Sequence, residues 1–135
     1  MRILVDTNIA LDVYLRREPY AIESMKAIQK ASKNGNRVYF SCSAITDFYY
    51  ISKKNLNSSE KAHEFIIHLS KHIRLADVNK KVVFLSLTSN IDDFEDAVVD
   101  EVAANINADY ILTRNKKDFE YSKVKAITPE EFLSL

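Results

Sequence analysis

Ile3-Leu4-Val5-Asp6-Thr7-Asn8 is a short β-type run that stops at three residues able to cap a helix. Ile9, Leu11, Val13 and Leu15 continue in a mostly helical register to Arg17. Glu18-Pro19 ends it, because the residue before proline avoids the helical region. A strand feeding straight into a helix is the first half of a βαβ unit. The rest of the chain repeats the pattern. Ala21 to Lys33 carries apolar residues near a 3.6 spacing, Asn34-Gly35-Asn36 turns with Gly35 as a helix C-cap, and Val38-Tyr39-Phe40 is a second strand.

Ser41 and Ser43 offer caps for a third helix with Ile45, Phe48, Tyr49 and Ile51. Asn57-Ser58-Ser59-Glu60 starts a fourth, through Phe65, Ile66 and Leu69. Ile73 to Ala76 is a weak strand, Asn79 to Leu87 a helix, and Asp92 to Ile106 a longer helix with an acidic first turn. Tyr110-Ile111-Leu112 and Val124 to Ile127 are the late strands, and Pro129 opens a terminal helical turn. Alternation of this kind predicts an α/β fold: a three-layer α/β/α sandwich on a central parallel sheet of four to five strands. No repeat or linker divides it, so residues 1–135 are expected to form one domain.

Composition narrows the chemistry. With 47% hydrophobic residues the chain has material for a core. Its one glycine, Gly35, excludes a Gly-rich phosphate loop. Its one cysteine, Cys42, excludes an internal disulfide and a multi-cysteine zinc site, and suits a reducing cytosol. The opening apolar run is too short for a signal peptide, and no stretch has the length a membrane span needs, so a cytoplasmic protein with no membrane contact is expected. The 19 basic and 19 acidic residues cancel, which argues against broad electrostatic binding of nucleic acid and leaves an acidic site free to coexist with local basic patches.

In open α/β sheets, ligands bind beyond the carboxyl ends of the strands. Asp6 follows the first strand, and Asp47 lies one helical turn past Ser43, just beyond the second. Asp96 is in the first turns of the long helix, and Thr113-Arg114-Asn115 with Asp118 follow the Tyr110 strand. A parallel sheet would gather these acids at one edge. Gathered carboxylates repel, and a divalent cation relieves that repulsion. Magnesium takes oxygen ligands and keeps several waters, and such ions activate water against phosphodiesters without a His, Ser or Cys nucleophile.

Three stretches carry a family resemblance: Val5-Asp6-Thr7-Asn8 after a strand, Asp92-Asp93-Phe94-Glu95-Asp96-Ala97 heading a helix, and Ile111-Leu112-Thr113-Arg114-Asn115-Lys116-Lys117-Asp118-Phe119. In this order they resemble the PIN-domain family over nearly the whole chain, and Ile127-Thr128-Pro129-Glu130-Glu131-Phe132-Leu133 resembles the end of a bacterial branch. The resemblance implies an endoribonuclease dependent on Mg2+ or Mn2+, acting on RNA, as the toxin of a type II toxin–antitoxin pair. An antitoxin protein and a second copy of the chain, as a homodimer, are the implied partners. By position it implies Asp6, Asp96 and Asp118 as metal-site acids, with Thr7, Asn8, Thr113 and Asn115 as supporting neighbours. Asp47 stands where many members have a glutamate after the second strand; one methylene shorter, it reaches metal through water.

Each residue also has a plainer reading. Asp6 is equally a helix cap. Asp92, Asp93, Glu95 and Asp96 complement the helix dipole, and Asp100, one turn from Asp96, is a substitute ligand. Arg16-Arg17 and Lys53-Lys54 read as solvated surface, whereas Arg114, Lys116 and Lys117 flank the acids and are expected to touch RNA phosphates. Phe48-Tyr49-Tyr50 reads as core or interface. Of the three histidines, His68 and His72 share helical spacing but lack a third ligand. Two competing functions follow: a non-catalytic PIN-type module that binds RNA or protein, and a receiver-like phosphoacceptor domain, which the unclear late lysine disfavours.

Overall fold

The computed structural model describes residues 1–135. Five strands form one parallel sheet: β1 (Arg2–Val5), β2 (Arg37–Ser41), β3 (Arg74–Ala76), β4 (Tyr110–Leu112) and β5 (Ala126–Ile127), in the spatial order β3-β2-β1-β4-β5. Seven α-helices flank it: α1 (Thr7–Tyr14), α2 (Ala21–Ala31), α3 (Ile45–Leu56), α4 (Ser59–His72), α5 (Lys80–Leu87), α6 (Phe94–Asn105) and α7 (Pro129–Leu133).

Alternation along the strands creates the two outer layers. Successive side chains point to opposite faces of a sheet. In β1, Ile3 and Val5 enter one buried cluster with Phe40, Phe48, Leu112 and Phe132, while Leu4 enters the other with Ile111, Val98 and Val102. β1 is apolar throughout because both of its faces are covered, as a central parallel strand requires.

Side-chain caps set most boundaries. Asp6, Ser58, Asn79, Asp93 and Thr128 each accept a backbone N–H at a helix start, and Thr128 with Glu131 forms a reciprocal capping box. Four elements end differently from the sequence expectation. α1 stops at Tyr14 rather than Arg17, since Arg16 turns the chain with φ 53°. α2 closes on Ser32, so Gly35 (φ +78°) serves the loop instead of the C-cap. Ser41 caps a short 3-10 turn over Cys42–Ala44, and α3 begins without a side-chain cap. The last strand shrinks to Ala126–Ile127 because the Asp100 carboxylate takes the Lys123 and Val124 N–H groups at 2.9 and 3.1 Å. Phe48 is fully buried core, whereas Tyr50 is exposed. No helix is long and apolar enough to cross a membrane.

Candidate active site

The winding of the sheet reverses between β1 and β4, and the crevice at their carboxyl ends is the place such a sheet leaves for a ligand. Asp6 sits there, tied to the end of β4 by its N–H to the Leu112 carbonyl at 2.9 Å. One carboxylate oxygen accepts the Thr7 N–H at 2.8 Å, and the other accepts the Thr113 hydroxyl at 2.9 Å. Thr113 Oγ1 in turn accepts the Asn115 N–H at 3.1 Å. One oxygen of Asp6 therefore serves the helix cap, and the inter-strand bond from Thr113 orients the whole carboxylate. Burial pushes its pKa up, against the two hydrogen bonds, with the Asp118 charge adding to the rise.

Asp96 faces the same crevice from the first turn of α6, its backbone N–H held by the Asp93 cap at 3.0 Å. Its pKa is pushed up to about 7, by burial first and then by the charges of Asp6, Asp93 and Asp118. Asp118, exposed on the 3-10 turn Lys116–Phe119, completes a set of three acids in one another's field. Asp47 enters one step further out. It meets Glu95, whose pKa rises to about 7 through burial, then a hydrogen bond and repulsion from Asp47, then Asp93 and Asp96. Asp6, Asp96 and Asp118 thus share one field, and the Glu95–Asp47 pair adjoins it through Asp96.

The donors suit a hard, hydrated cation. They are carboxylate oxygens, their mutual charge adds to the burial that raises Asp96, and the adjacent Thr7 Oγ1 is buried without a partner. No three of the His, Cys, Asp or Glu side chains are drawn together tightly enough to enclose an ion on their own. A divalent cation here would take one or two carboxylates as ligands and water for the rest. Asp100 is spent on the Lys123 and Val124 N–H groups, which removes it as a substitute ligand.

The basic residues divide. Lys116 Nζ pairs with Glu131 at 2.8 Å, and Lys117 is exposed with no ion pair. Arg114 Nε donates to Asp12 Oδ2 at 2.7 Å, and its guanidinium lies 4.2 Å from the centre of the Tyr20 ring. Asn8, half-buried at the start of α1, is within 3.4 Å of Arg17 through both its carbonyl and its side-chain oxygen. Sequence reasoning missed Asp12 and the role of Arg17. The available signal was an acid between Leu11 and Val13 in an otherwise apolar helix, with arginines one turn on. It also assigned Glu95 to the helix dipole alone, since its meeting with Asp47 is a tertiary contact.

No curated protein matches the chain. Among solved structures, a chain of VapBC2 from Rickettsia felis, crystallised bound to a DNA fragment from its promoter, superposes with a TM-score of 0.77 at 17% identity, covering 95% of this chain and 98% of that one. VapBC-1 from nontypeable Haemophilus influenzae gives 0.69 at 18% identity over 96% and 99%. VapC20 of Mycobacterium tuberculosis, a toxin that cleaves the sarcin–ricin loop, gives 0.70 at 13% identity over 91% and 98%. At these identities the likeness is one of fold. Residues 2–117 match the family model described as PIN domain, and the chain belongs to that family.

Proposed function

We propose that the protein is a metal-dependent endoribonuclease, the toxin component of a type II toxin–antitoxin pair, acting in the cytoplasm as one PIN-like domain over residues 1–135. The observation that carries this reading is the buried Asp6 carboxylate, fixed by Thr113 and Thr7 where the strand order reverses, in the electrostatic field of Asp96 and Asp118. Family membership and the likeness to VapC toxins support the same chemistry.

In this reading Asp6, Asp96 and Asp118 hold Mg2+ or Mn2+, and Asp47 acts through water beside Glu95. Thr7, Asn8, Thr113 and Asn115 hold carboxylates and waters in place. Arg114, Lys116 and Lys117 meet RNA phosphates. When bound, the cation supplies an activated water and charge for the leaving oxygen. The protein's own part is to keep acids of raised pKa close together and ready to ionise as the cation arrives. Antitoxin binding is supported by the VapBC complexes among the structural neighbours and by an apolar groove of about 1020 Å³ between α1, α2 and α4. Phe84 and Leu87, both exposed on α5, support a homodimer, to be read by analytical ultracentrifugation.

Cleavage of a labelled single-stranded RNA pool with Mg2+ or Mn2+ tests the reading. Asp6→Asn and Asp96→Asn are expected to reduce cleavage to background while circular dichroism stays native. Undiminished metal-dependent cleavage by the double variant would refute it. The competing reading is a binding module that cuts nothing, favoured by Asp47 standing where the family pattern has a longer glutamate. It predicts no thermal shift on magnesium titration, whereas a metal site stabilises by mass action.

A further inference from the structure

Asp12 is the most deeply buried acid near the crevice, at 0% exposure, and the nuclease reading gives it no task. Arg114 grips it from the β4 side, with Nε on Oδ2 at 2.7 Å and Nη2 on Oδ1 at 3.3 Å. Arg17 approaches from the loop after α1, its Nε 2.9 Å from Oδ1 but off the hydrogen-bonding direction, so that contact is electrostatic. One carboxylate faces two guanidinium groups. A buried acid needs one cation to offset its charge, so within the Asp12, Arg17 and Arg114 trio a second leaves one positive charge over.

That surplus is placed and oriented. Arg114 Cζ lies over the Tyr20 ring, 4.2 Å from its centre, a cation–π contact that favours this placement. Asn8 lies 3.4 Å from Arg17 Nη2. The side chains remain 33% and 26% exposed, so both guanidinium groups present donors to solvent. Arg114 also feels Asp6 directly. A planar fork of this kind matches phosphate oxygens better than an ammonium does. The nearby Lys116 shares its exposed ammonium with Glu131.

We propose that Arg17 and Arg114, held side by side on Asp12, form a seat for an RNA backbone phosphate adjoining the acidic crevice, with Asp12 as its positioning residue. The proposal rests on the nuclease reading for its choice of RNA. The seat fixes the strand's path beside the acids without reading its bases, as phosphate contacts do.

Fluorescence anisotropy with a labelled single-stranded RNA, in an Asp96→Asn background that cannot cut, measures the seat apart from catalysis. Arg17→Gln is expected to weaken binding about tenfold, alike for unrelated RNA sequences, and to lower the slope of log K against log salt by about one. Arg17→Lys should recover part of the affinity, since it restores charge without the fork. Circular dichroism and melting temperature should stay near the parent values, because Arg17 is a partly exposed loop residue. Unchanged affinity and salt slope in Arg17→Gln would overturn the seat even if the wild-type protein cleaves RNA. Weakened binding in Arg17→Gln with a wild-type protein that cleaves nothing would leave the seat standing and remove the nuclease.

Discussion

Thr113 is the residue on which the geometry of the crevice turns. Its side chain is fully buried, and its hydroxyl donates to Asp6 while accepting the Asn115 N–H. It therefore links the end of β1 to the segment that carries Asp118. Thr113→Val keeps the shape and removes both bonds. The proposed loss in metal-dependent cleavage is about 10- to 100-fold, the range seen when a group orienting a ligand is removed. The loss should fall on kcat rather than on RNA affinity, because Thr113 faces the acids. An equal fall in RNA affinity would mean that the hydroxyl serves the substrate instead. Asp6 and Thr113 were both legible in the sequence, one by its place after a strand and the other through the family motif. Their hydrogen bond was not, since it spans 107 residues and depends on β1 lying beside β4.

At the scale of elements, α6 and the segment leading into β5 act as one unit. Asp100 accepts the Lys123 and Val124 N–H groups, and Lys123 Nζ pairs with the buried Glu101 at 2.6 Å. These contacts hold the chain that leads from Asp118 into β5 against the helix that carries Asp96. Asp100→Ala leaves two backbone donors without partners and is expected to cost about 1–3 kcal/mol of folding stability, read by urea denaturation. Native-state hydrogen exchange should quicken first at Lys123 and Val124, since local opening follows lost tethers. A stability change within error would show that water replaces the carboxylate. The same contact explains why β5 is shorter than Val124 to Ile127 suggests. Periodicity registers where side chains point, and an acid that captures two backbone groups from another element leaves no trace in it. The starts of α4 and α5, by contrast, were readable, because caps such as Ser58 and Asn79 act within a few residues.

For the molecule as a whole, the placement of like charges couples folding to pH and to the proposed cation. Asp6, Asp96 and Glu95 all have pKa values above their ordinary ones, Asp96 and Glu95 near 7. The unfolded chain releases these protons near the ordinary values of 3.8 and 4.5, while the folded chain keeps them longer. Between those limits the folded state binds more protons, so stability without divalent cation falls as pH rises from about 4 to about 7 and then levels. Net neutrality of the chain gives no warning of this, since the repulsion is local. A divalent cation acts in the opposite sense. Bound by the ionised acids as proposed, it should stabilise increasingly across the same interval, by about 2.7 kcal/mol at a hundredfold excess over Kd. Melting curves at pH 5 and pH 8, each with Mg2+ and with EDTA, read both effects at once. The expected pattern is a lower melting temperature at pH 8 in EDTA and a magnesium shift larger at pH 8 than at pH 5. Asp96→Asn should flatten both, because it removes a charge from the centre of the cluster. A magnesium shift that is equal at the two pH values, or that persists in Asp96→Asn, would place the cation away from these acids.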